Sequence, residues 1–218
     1  MKFSCIIPAY NEGPHIKNIV HLALGCPELD EIIVIDDGST DNTWEELADI
    51  TSPKLRKIQS PQNEGKMNAF FRGLQEARGT HIVMLDADYI GFRSEYLSQI
   101  IVPVLEERVD STMIMWNNSL FICKLLKHDT FSGTRVLPRS VFDNVSYYRD
   151  GTGFGLETKI NEILYQKKIS VLSFYFPGVY NPPKGWKQLY WKQPKDILSS
   201  MPLWKIVRQA WYIYRQQP

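Results

Sequence analysis

Short apolar runs alternate with helical apolar stripes along the first hundred residues. The runs predict four strands, at Phe3 to Ile7, Ile32 to Ile35, Leu55 to Gln59 and His81 to Leu85. Runs that are apolar on both faces are typical of strands inside a parallel sheet. Between them, apolar residues recur at intervals of three and four, as on one face of a helix. The alternation predicts an α/β fold in which a mostly parallel sheet carries helices on both faces.

Local signals predict where the first three helices begin and end. Pro14 suits the first turn of the first helix, and Gly25 marks its end. Thr43 and Glu46 have the spacing of a capping box, which predicts a second helix from Thr43 through Ile50. Gly79 is expected to end the third helix.

The pattern is less regular after residue 101. It predicts strands at Met113 to Trp116, Phe131 to Val136 and Val171 to Phe176, and a helix face at Leu156, Ile160, Ile163 and Leu164. No linker divides the first 180 residues, so we expect one domain over 1–180 with halves at 1–100 and 101–180. A separate segment follows at 181–218.

Composition narrows the class of protein. Hydrophobic residues make up 44% and charged residues 22% of the 218, which excludes a largely disordered chain. Three scattered cysteines exclude a disulfide framework and a zinc site and suit a reducing compartment. The first residues lack a signal-peptide pattern and no apolar run reaches about 18 residues, so we expect a cytoplasmic protein without a membrane span.

The last 38 residues differ in charge from the rest. Residues 181–218 hold seven basic residues and one acidic residue, a net charge of +6, which leaves −5 for residues 1–180. Four of the six tryptophans also lie there. Tryptophan, tyrosine and lysine mixed along 184–215 favour an aromatic and basic helical segment that contacts the inner face of the cell membrane. The alternative is a helix packed on the rest of the chain. Nucleic-acid binding is not expected, because no such motif accompanies the basic residues.

Polar residues follow the predicted strands at the edge where open α/β sheets bind ligands. The stretches are Pro8-Ala9-Tyr10-Asn11-Glu12, Asp36-Asp37-Gly38-Ser39, Asn63-Glu64-Gly65-Lys66 and Asp86-Ala87-Asp88. Acidic clusters that meet at one edge repel one another unless a cation or a donor-rich ligand lies among them. We therefore expect a charged ligand at this edge.

Asp86 and Asp88 are the strongest candidates for a metal site. Two residues apart on an extended strand, their carboxylates would point to one side. Mg²⁺ typically binds one or two carboxylates together with substrate phosphates, and it stabilises a departing diphosphate. The alternative is a solvated turn. Lys66 stands at a predicted helix start, where the dipole disfavours a cation, and either a nearby phosphate compensates it or it is an ordinary exposed lysine. Asp37 either caps a helix or binds a base or ribose.

The order of these segments resembles one known family. SCIIPAYNEGPHI, EIIVIDDGSTDNT and NEGKMNAFFRGLQEARGTHIVMLDAD are together similar to the family 2 glycosyltransferases with a GT-A fold. The resemblance is close over 3–88 and looser over SGTRVLPRSVF (132–142) and GFGLETKI (153–160). It implies a GT-A domain over 1–180, with a nucleotide-sugar-binding half at 1–100 and an acceptor-side half at 101–180.

The resemblance also implies an activity and a set of site residues. The enzyme would use Mg²⁺ or Mn²⁺ to move a sugar, with inversion, from a nucleotide-diphosphate sugar, UDP-sugar favoured, to a hydroxyl of a glycolipid or polysaccharide. The implied donor-site residues are Pro8, Ala9, Tyr10 and Glu12 at base and ribose, Asp37 at the nucleobase, Lys66 near the nucleotide, Asp86 near ribose and sugar, and Asp88, with Asp86, at the metal.

Glu157 aligns with the family's catalytic base, although an acid at a helix start is also stabilised by the dipole alone. Arg135 and Arg139 are expected to contact the diphosphate or an anionic acceptor, the alternative being ordinary surface arginines. No histidine follows Glu157, so phosphate oxygens and water, or Asn181, would complete the metal site.

Three other functions fit parts of the pattern. A polyprenyl-phosphate sugar synthase would need no base, because its phosphate acceptor is already ionised. A receiver-like phosphoacceptor signalling domain also uses paired aspartates and a lysine, but there the pair ends the first strand, whereas here it ends the second. A sugar-nucleotide binder without catalysis is the third.

Overall fold

The computed structural model describes residues 1–115, 132–143 and 155–180. Strands in this part are β1 (Phe3–Ala9), β2 (Glu31–Asp36), β3 (Leu55–Gln59), β4 (His81–Met84), β5 (Ser111–Met115), β6 (Arg135–Pro138) and β7 (Val171–Tyr175). Helices are α1 (Ile16–Leu24), α2 (Thr43–Ala48), α3 (Lys66–Glu76), α4 (Ser94–Leu105) and α5 (Gly155–Gln166), with a 3₁₀ turn at Arg139–Val141.

The strands form one sheet in the order β3-β2-β1-β4-β6-β5-β7. All neighbouring pairs are parallel except those that β6 makes with β4 and β5. Six strands therefore end at one edge of the sheet, and β6 begins there. Because β1 lies between β2 and β4, the chain leaves β1 and β4 in opposite directions, and a crevice forms where such connections diverge. The predicted mostly parallel sheet is confirmed.

Helices cover both faces of the sheet, as predicted. On one face, Ile19 of α1 and Ile100 of α4 belong to one buried apolar cluster. On the other, Phe70 of α3 and Ile160 of α5 belong to a second. The placement of α1 and α3 on opposite faces agrees with right-handed crossovers, because the connection from β1 to β2 and that from β3 to β4 run in opposite directions along the sheet.

The predicted capping box is wrong. Thr43 lies inside α2, which ends at Ala48, and its buried hydroxyl accepts the Glu12 backbone N–H at 2.8 Å and donates to Asp41 Oδ1 at 2.5 Å. The hydroxyl thus serves a loop distant in sequence, not its own helix end. Gly79 also has another role than the one predicted, since α3 ends earlier, at Glu76. A Cβ at Gly79 would lie 2.4 Å from Ser4 Oγ, so glycine allows a close approach to β1.

The elements predicted after residue 101 that lie in the described ranges are present with shifted bounds. The strand predicted from Phe131 begins only at Arg135, and residues 132–134 reach the sheet edge as loop. The aromatic and basic segment at 181–218, its expected membrane contact and Asn181 lie outside the described residues. Within the described part, no helix is long and apolar enough to cross a membrane.

Replacement of Ile6 by alanine tests how much a buried side chain of the central strand stabilises the fold. Ile6 is completely buried under α3, and a cavity there should cost about 2–5 kcal/mol of unfolding free energy. Ile90→Ala is the control, because Ile90 is 50% exposed and should cost less than about 1 kcal/mol. Urea unfolding of both variants measures the difference, and equal losses would contradict the assignment of Ile6 to the core.

Candidate active site

The loop after β1 is held by side chains of the loop after β2 and of the first residue of α2. Three consecutive backbone N–H groups donate to these side chains, from Asn11 to Ser39 Oγ (2.9 Å), from Glu12 to Thr43 Oγ1 (2.8 Å) and from Gly13 to Asp41 Oδ2 (3.2 Å). In return, Thr40 N–H donates to Asn11 Oδ1 at 2.8 Å. These bonds fix Asn11 at a φ of 55°, in the left-handed region that asparagine tolerates.

The predicted donor-site residues of this loop lie at the edge of the sheet. Pro8 and Ala9 are the last two residues of β1, and Ala9 is buried. Tyr10 follows them and is 36% exposed, so its ring is available to a ligand. The expected contacts of these residues and Glu12 with base and ribose stay predictions.

Asp37 is engaged by the protein backbone. Its Oδ1 accepts the Glu64 N–H at 3.1 Å and its Oδ2 accepts the Gly65 N–H at 2.8 Å. The side chain is buried and holds the loop that precedes α3. Gly65, at a φ of 93°, then turns the chain into the helix. Contact of Asp37 with a nucleobase remains a prediction, and a structural role is already visible.

Lys66 joins two predicted acids. As the first residue of α3, it places Nζ 2.8 Å from Asp86 Oδ1 and 3.3 Å from Glu157 Oε1. Burial by itself lowers the pKa of the ammonium, but the carboxylates of Asp86 and Glu157 outweigh it and raise the pKa of Lys66 above its ordinary range. The side chain remains 42% exposed, so solvent and ligands reach it. The carboxylates of Asp86 and Glu157 compensate the cation at the helix start.

Asp86 is held by hydrogen bonds to its side chain and to its backbone. Its Oδ2 accepts the Tyr89 hydroxyl at 3.1 Å, and its backbone N–H donates to Thr134 Oγ1 at 3.2 Å. Tyr89 and Thr134 share a further bond of 2.6 Å between their hydroxyls. Burial, followed by the charge of Asp86, raises the pKa of Tyr89, so the phenol stays protonated and remains a donor. A Cβ at Gly133 would lie 2.6 Å from both Asp86 oxygens and 2.8 Å from Lys66 Nζ, which leaves room only for glycine.

Asp88 belongs to the same electrostatic cluster. It lies in the turn after β4, so the predicted alternation on an extended strand does not apply. Its side chain is buried, and its charge contributes to the raised pKa values of Lys66 and Tyr89. No group of three or more His, Cys, Asp or Glu side chains in the described ranges forms a complete metal site. One or two carboxylates suit Mg²⁺ or Mn²⁺ when substrate phosphates and water supply the other ligands, so the donor set fits.

Glu157 lies in the first turn of α5, at the helix start where the sequence places it. It is 3% exposed, and its Oε1 accepts from Lys66. The fold therefore brings Glu157 together with Lys66 and Asp86 across 91 residues of sequence. Its role as a base stays a prediction.

Both predicted arginines bond to groups of the protein. Arg135 is completely buried; its Nε donates to Ser132 O at 2.7 Å and its Nη1 to Asn161 Oδ1 at 2.5 Å. Burial excludes the alternative of an ordinary surface arginine for Arg135, and its expected contact with the diphosphate or an acceptor stays a prediction. Arg139 donates to the carbonyls of Leu74 and Ala77 and caps the end of α3.

Four site residues escape sequence reasoning. Tyr89 directly follows the Asp86-x-Asp88 motif, and Gly133 and Thr134 lie in the 132–142 segment, so their positions carry a signal although their roles do not. For Asn161 the sequence predicts only that it lies in a helix. Its contact with Arg135 is not predicted, because it joins residues 26 positions apart.

Solved structures share this fold. Glucosyl-3-phosphoglycerate synthase from Mycobacterium tuberculosis, in complex with Mn²⁺ and uridine-diphosphate-glucose, matches with a TM-score of 0.67 at 19% identity. The match covers 96% of this chain and 79% of that one. At this identity it shows the fold alone, and the predicted GT-A-like architecture is confirmed.

Curated relatives match a shorter stretch. Dolichol-phosphate mannosyltransferase from Pyrococcus furiosus is 37% identical over 92 residues, which is 40% of this chain and 26% of that protein. Poly-beta-1,6-N-acetyl-D-glucosamine synthase from Staphylococcus epidermidis is 34% identical over 90 residues, 40% of this chain and 22% of that protein. The chain thus spans about a quarter of the length of the curated relatives it matches.

Replacement of Lys66 by methionine should destabilise the protein by about 1–2 kcal/mol at pH 7, because buried oxygens of Asp86 and Glu157 lose their donor and face each other. The raised pKa of Lys66 means that its contribution is complete below its ordinary pKa, so the deficit should be constant from pH 7 to 9. Lys17→Met is the control, since its 4.0 Å surface pair should change stability by less than about 0.5 kcal/mol. Denaturant unfolding measures both, and an unchanged Lys66→Met variant would contradict the prediction.

The family profile described as glycosyl transferase family 2 matches residues 4–148, which include the strand-end acids, Lys66 and the segment before β6. That span is well over half of the chain, and it excludes the receiver-like alternative. With the fold and the charged cluster at the sheet edge, it shows that this chain belongs to glycosyl transferase family 2.

Proposed function

We propose that this chain catalyses metal-dependent transfer of a sugar from a nucleotide-diphosphate sugar to a hydroxyl group of an acceptor. The observation that carries the proposal is the cluster of Lys66, Asp86, Asp88 and Glu157 at the carboxyl edge of the sheet. One exposed cation among buried carboxylates suits a ligand that is itself anionic and arrives with a divalent metal ion.

Asp88 and Asp86 would hold the metal, Mg²⁺ or Mn²⁺, which when bound supplies charge stabilisation for the departing nucleoside diphosphate. The Mycobacterium tuberculosis synthase with Mn²⁺ and uridine-diphosphate-glucose supports this choice and a preference for UDP-sugars. Lys66 contributes a second positive charge, because its ammonium is accessible and its high pKa keeps it protonated. Tyr89 and Thr134 hold Asp86 in place.

Glu157 is the proposed base. An acceptor hydroxyl is a weak nucleophile until a carboxylate within hydrogen-bond reach takes its proton. Glu157 is buried beside Lys66, so a hydroxyl bound there would lie close to the departing diphosphate. Attack from the side opposite the leaving group would invert the anomeric centre, which is the outcome we propose.

The relatives support two kinds of acceptor. The Staphylococcus epidermidis synthase is named for a polysaccharide, which agrees with a hydroxyl acceptor on a glycan or glycolipid. The Pyrococcus furiosus relative is named for dolichol phosphate, which favours a polyprenyl-phosphate acceptor as the second candidate. A phosphate oxygen is already ionised near neutral pH, so that reaction would need no base.

A panel of nucleotide sugars with and without Mn²⁺ tests donor and metal together. We expect one or two donors to raise the melting temperature only when Mn²⁺ is present, because metal and diphosphate bind as a unit. Asp88→Ala should abolish this shift. Asp49→Ala, which removes an exposed aspartate at the end of α2, is the control and should retain it. A full Mn²⁺-dependent shift in Asp88→Ala would refute the metal assignment.

Replacement of Glu157 by glutamine separates the two acceptor classes. If a hydroxyl is the acceptor, kcat should fall about 10²- to 10⁴-fold while UDP and Mn²⁺ still bind. Glu95→Gln is the matched control, because Glu95 also lies in a helix first turn and is exposed. A folded Glu157→Gln variant with full activity would reject the base and leave the polyprenyl-phosphate acceptor.

A further inference from the structure

Arg135 connects the sheet to the helix that carries Glu157. It is the first residue of β6, paired with Met84 at the end of β4. Its side chain is completely buried, and Nη1 donates to Asn161 Oδ1 at 2.5 Å. Asn161 is also completely buried on the inner face of α5. The contact therefore fixes α5 against the strand that borders Asp86.

Asn161 lies one helical turn after Glu157. Residues four apart share a face of a helix, so the two side chains point to the same side of α5. A bond that holds Asn161 sets both the rotation of the helix and its displacement along its axis. Both quantities decide where the carboxylate of Glu157 lies relative to Lys66, 3.3 Å away.

The other end of the same short segment supports Asp86. Ser132 O accepts from Arg135 Nε at 2.7 Å, and Thr134 Oγ1 accepts the Asp86 N–H at 3.2 Å. Within residues 132–135, Thr134 therefore contacts Asp86, and Arg135 contacts the helix that carries Glu157. A shift of this segment would change the separation of the two acids.

We propose that Arg135 and Asn161 are positioning residues, whose buried hydrogen bond sets the place of Glu157 against Lys66 and Asp86. Hydrogen bonds from a charged donor are short and strong, and a buried one has no water to replace it. The effect on rate rests on the proposed function, in which Glu157 is the base. The effect on the position of Glu157 does not rest on the proposed function.

A double-mutant cycle in thermal stability tests the geometry without any substrate. Lys66 pairs with Glu157 and Asp86, and the bond between Arg135 and Asn161 acts on the first pair through the helix that carries Glu157. Lys66→Met should lower the melting temperature by at least about 3 °C in the wild-type background and by at least about 1 °C less than that in Asn161→Leu, where the pair with Asp86 remains. The full cost of Lys66→Met in Asn161→Leu would overturn the proposal.

Gln166→Leu is the matched control for this cycle, because it makes the same kind of change on the exposed side of α5. Lys66→Met should cost the same in that background as in the wild type. A reduced cost there would show a general loosening of α5 and would also overturn the proposal.

Release of UDP from UDP-glucose in the presence of Mn²⁺ tests the effect on rate. Asn161→Leu should lower kcat about 10- to 100-fold with an unchanged KM, since a displacement of about 1 Å suffices. Asn161→Asp, which keeps an acceptor for Arg135, should retain at least about a third of kcat. In Glu157→Gln, Asn161→Leu should cause no further loss, because both act at one step.

Failure of the positioning proposal can be distinguished from failure of the proposed function. Full activity of Glu157→Gln alone rejects the base of the proposed function, and the thermal cycle still decides the positioning. If Glu157→Gln is inactive but Asn161→Leu has the wild-type kcat, the positioning is rejected and the proposed function stands. The same conclusion follows if kcat of the double variant falls by the product of the two single losses.

Discussion

The edge of the sheet depends on one shared positive charge. Asp86 and Glu157 come from parts of the chain far apart in sequence, and carboxylates this close repel unless a cation lies between them. The Lys66 ammonium supplies it, although a helix amino terminus is an unfavourable place for a cation. The acids of two other elements, not α3, therefore explain why a lysine stands there. One ammonium does not neutralise the carboxylates of Asp86, Asp88 and Glu157, so the cluster keeps a net negative charge that suits a ligand arriving with a divalent metal ion.

The reversed direction of β6 brings a further loop to this edge of the sheet. Because β6 alone runs antiparallel, the loop before it reaches the same edge that the other strands reach with the loops after them. The segment 132–134 can then lie against Asp86, with Gly133 allowing the approach. The same reversal buries Arg135 between β4 and β5, where it meets α5.

Sequence patterns predict β1, β2 and β4 well because these strands are largely apolar on both faces and are followed by polar residues. They also predict which acids follow those strands, and the resemblance to a family singles out Lys66 and Glu157. Patterns fail where a side chain serves a distant partner. Thr43 looks like a helix cap but holds Glu12, and Arg135 looks like a surface cation but is buried against Asn161. Neither partner lies within a helical turn, so no local signal exists for it.

The bonds between the first two loops have a consequence for motion. Three successive amides of the loop after β1 donate to hydroxyl and carboxylate groups of the loop after β2 and of Thr43 at the start of α2, and a fourth bond runs from Thr40 back to Asn11. Opening either loop alone would break all four, so the two should unfold locally as one cooperative unit. Their amide protons would then exchange with solvent together, at a common rate.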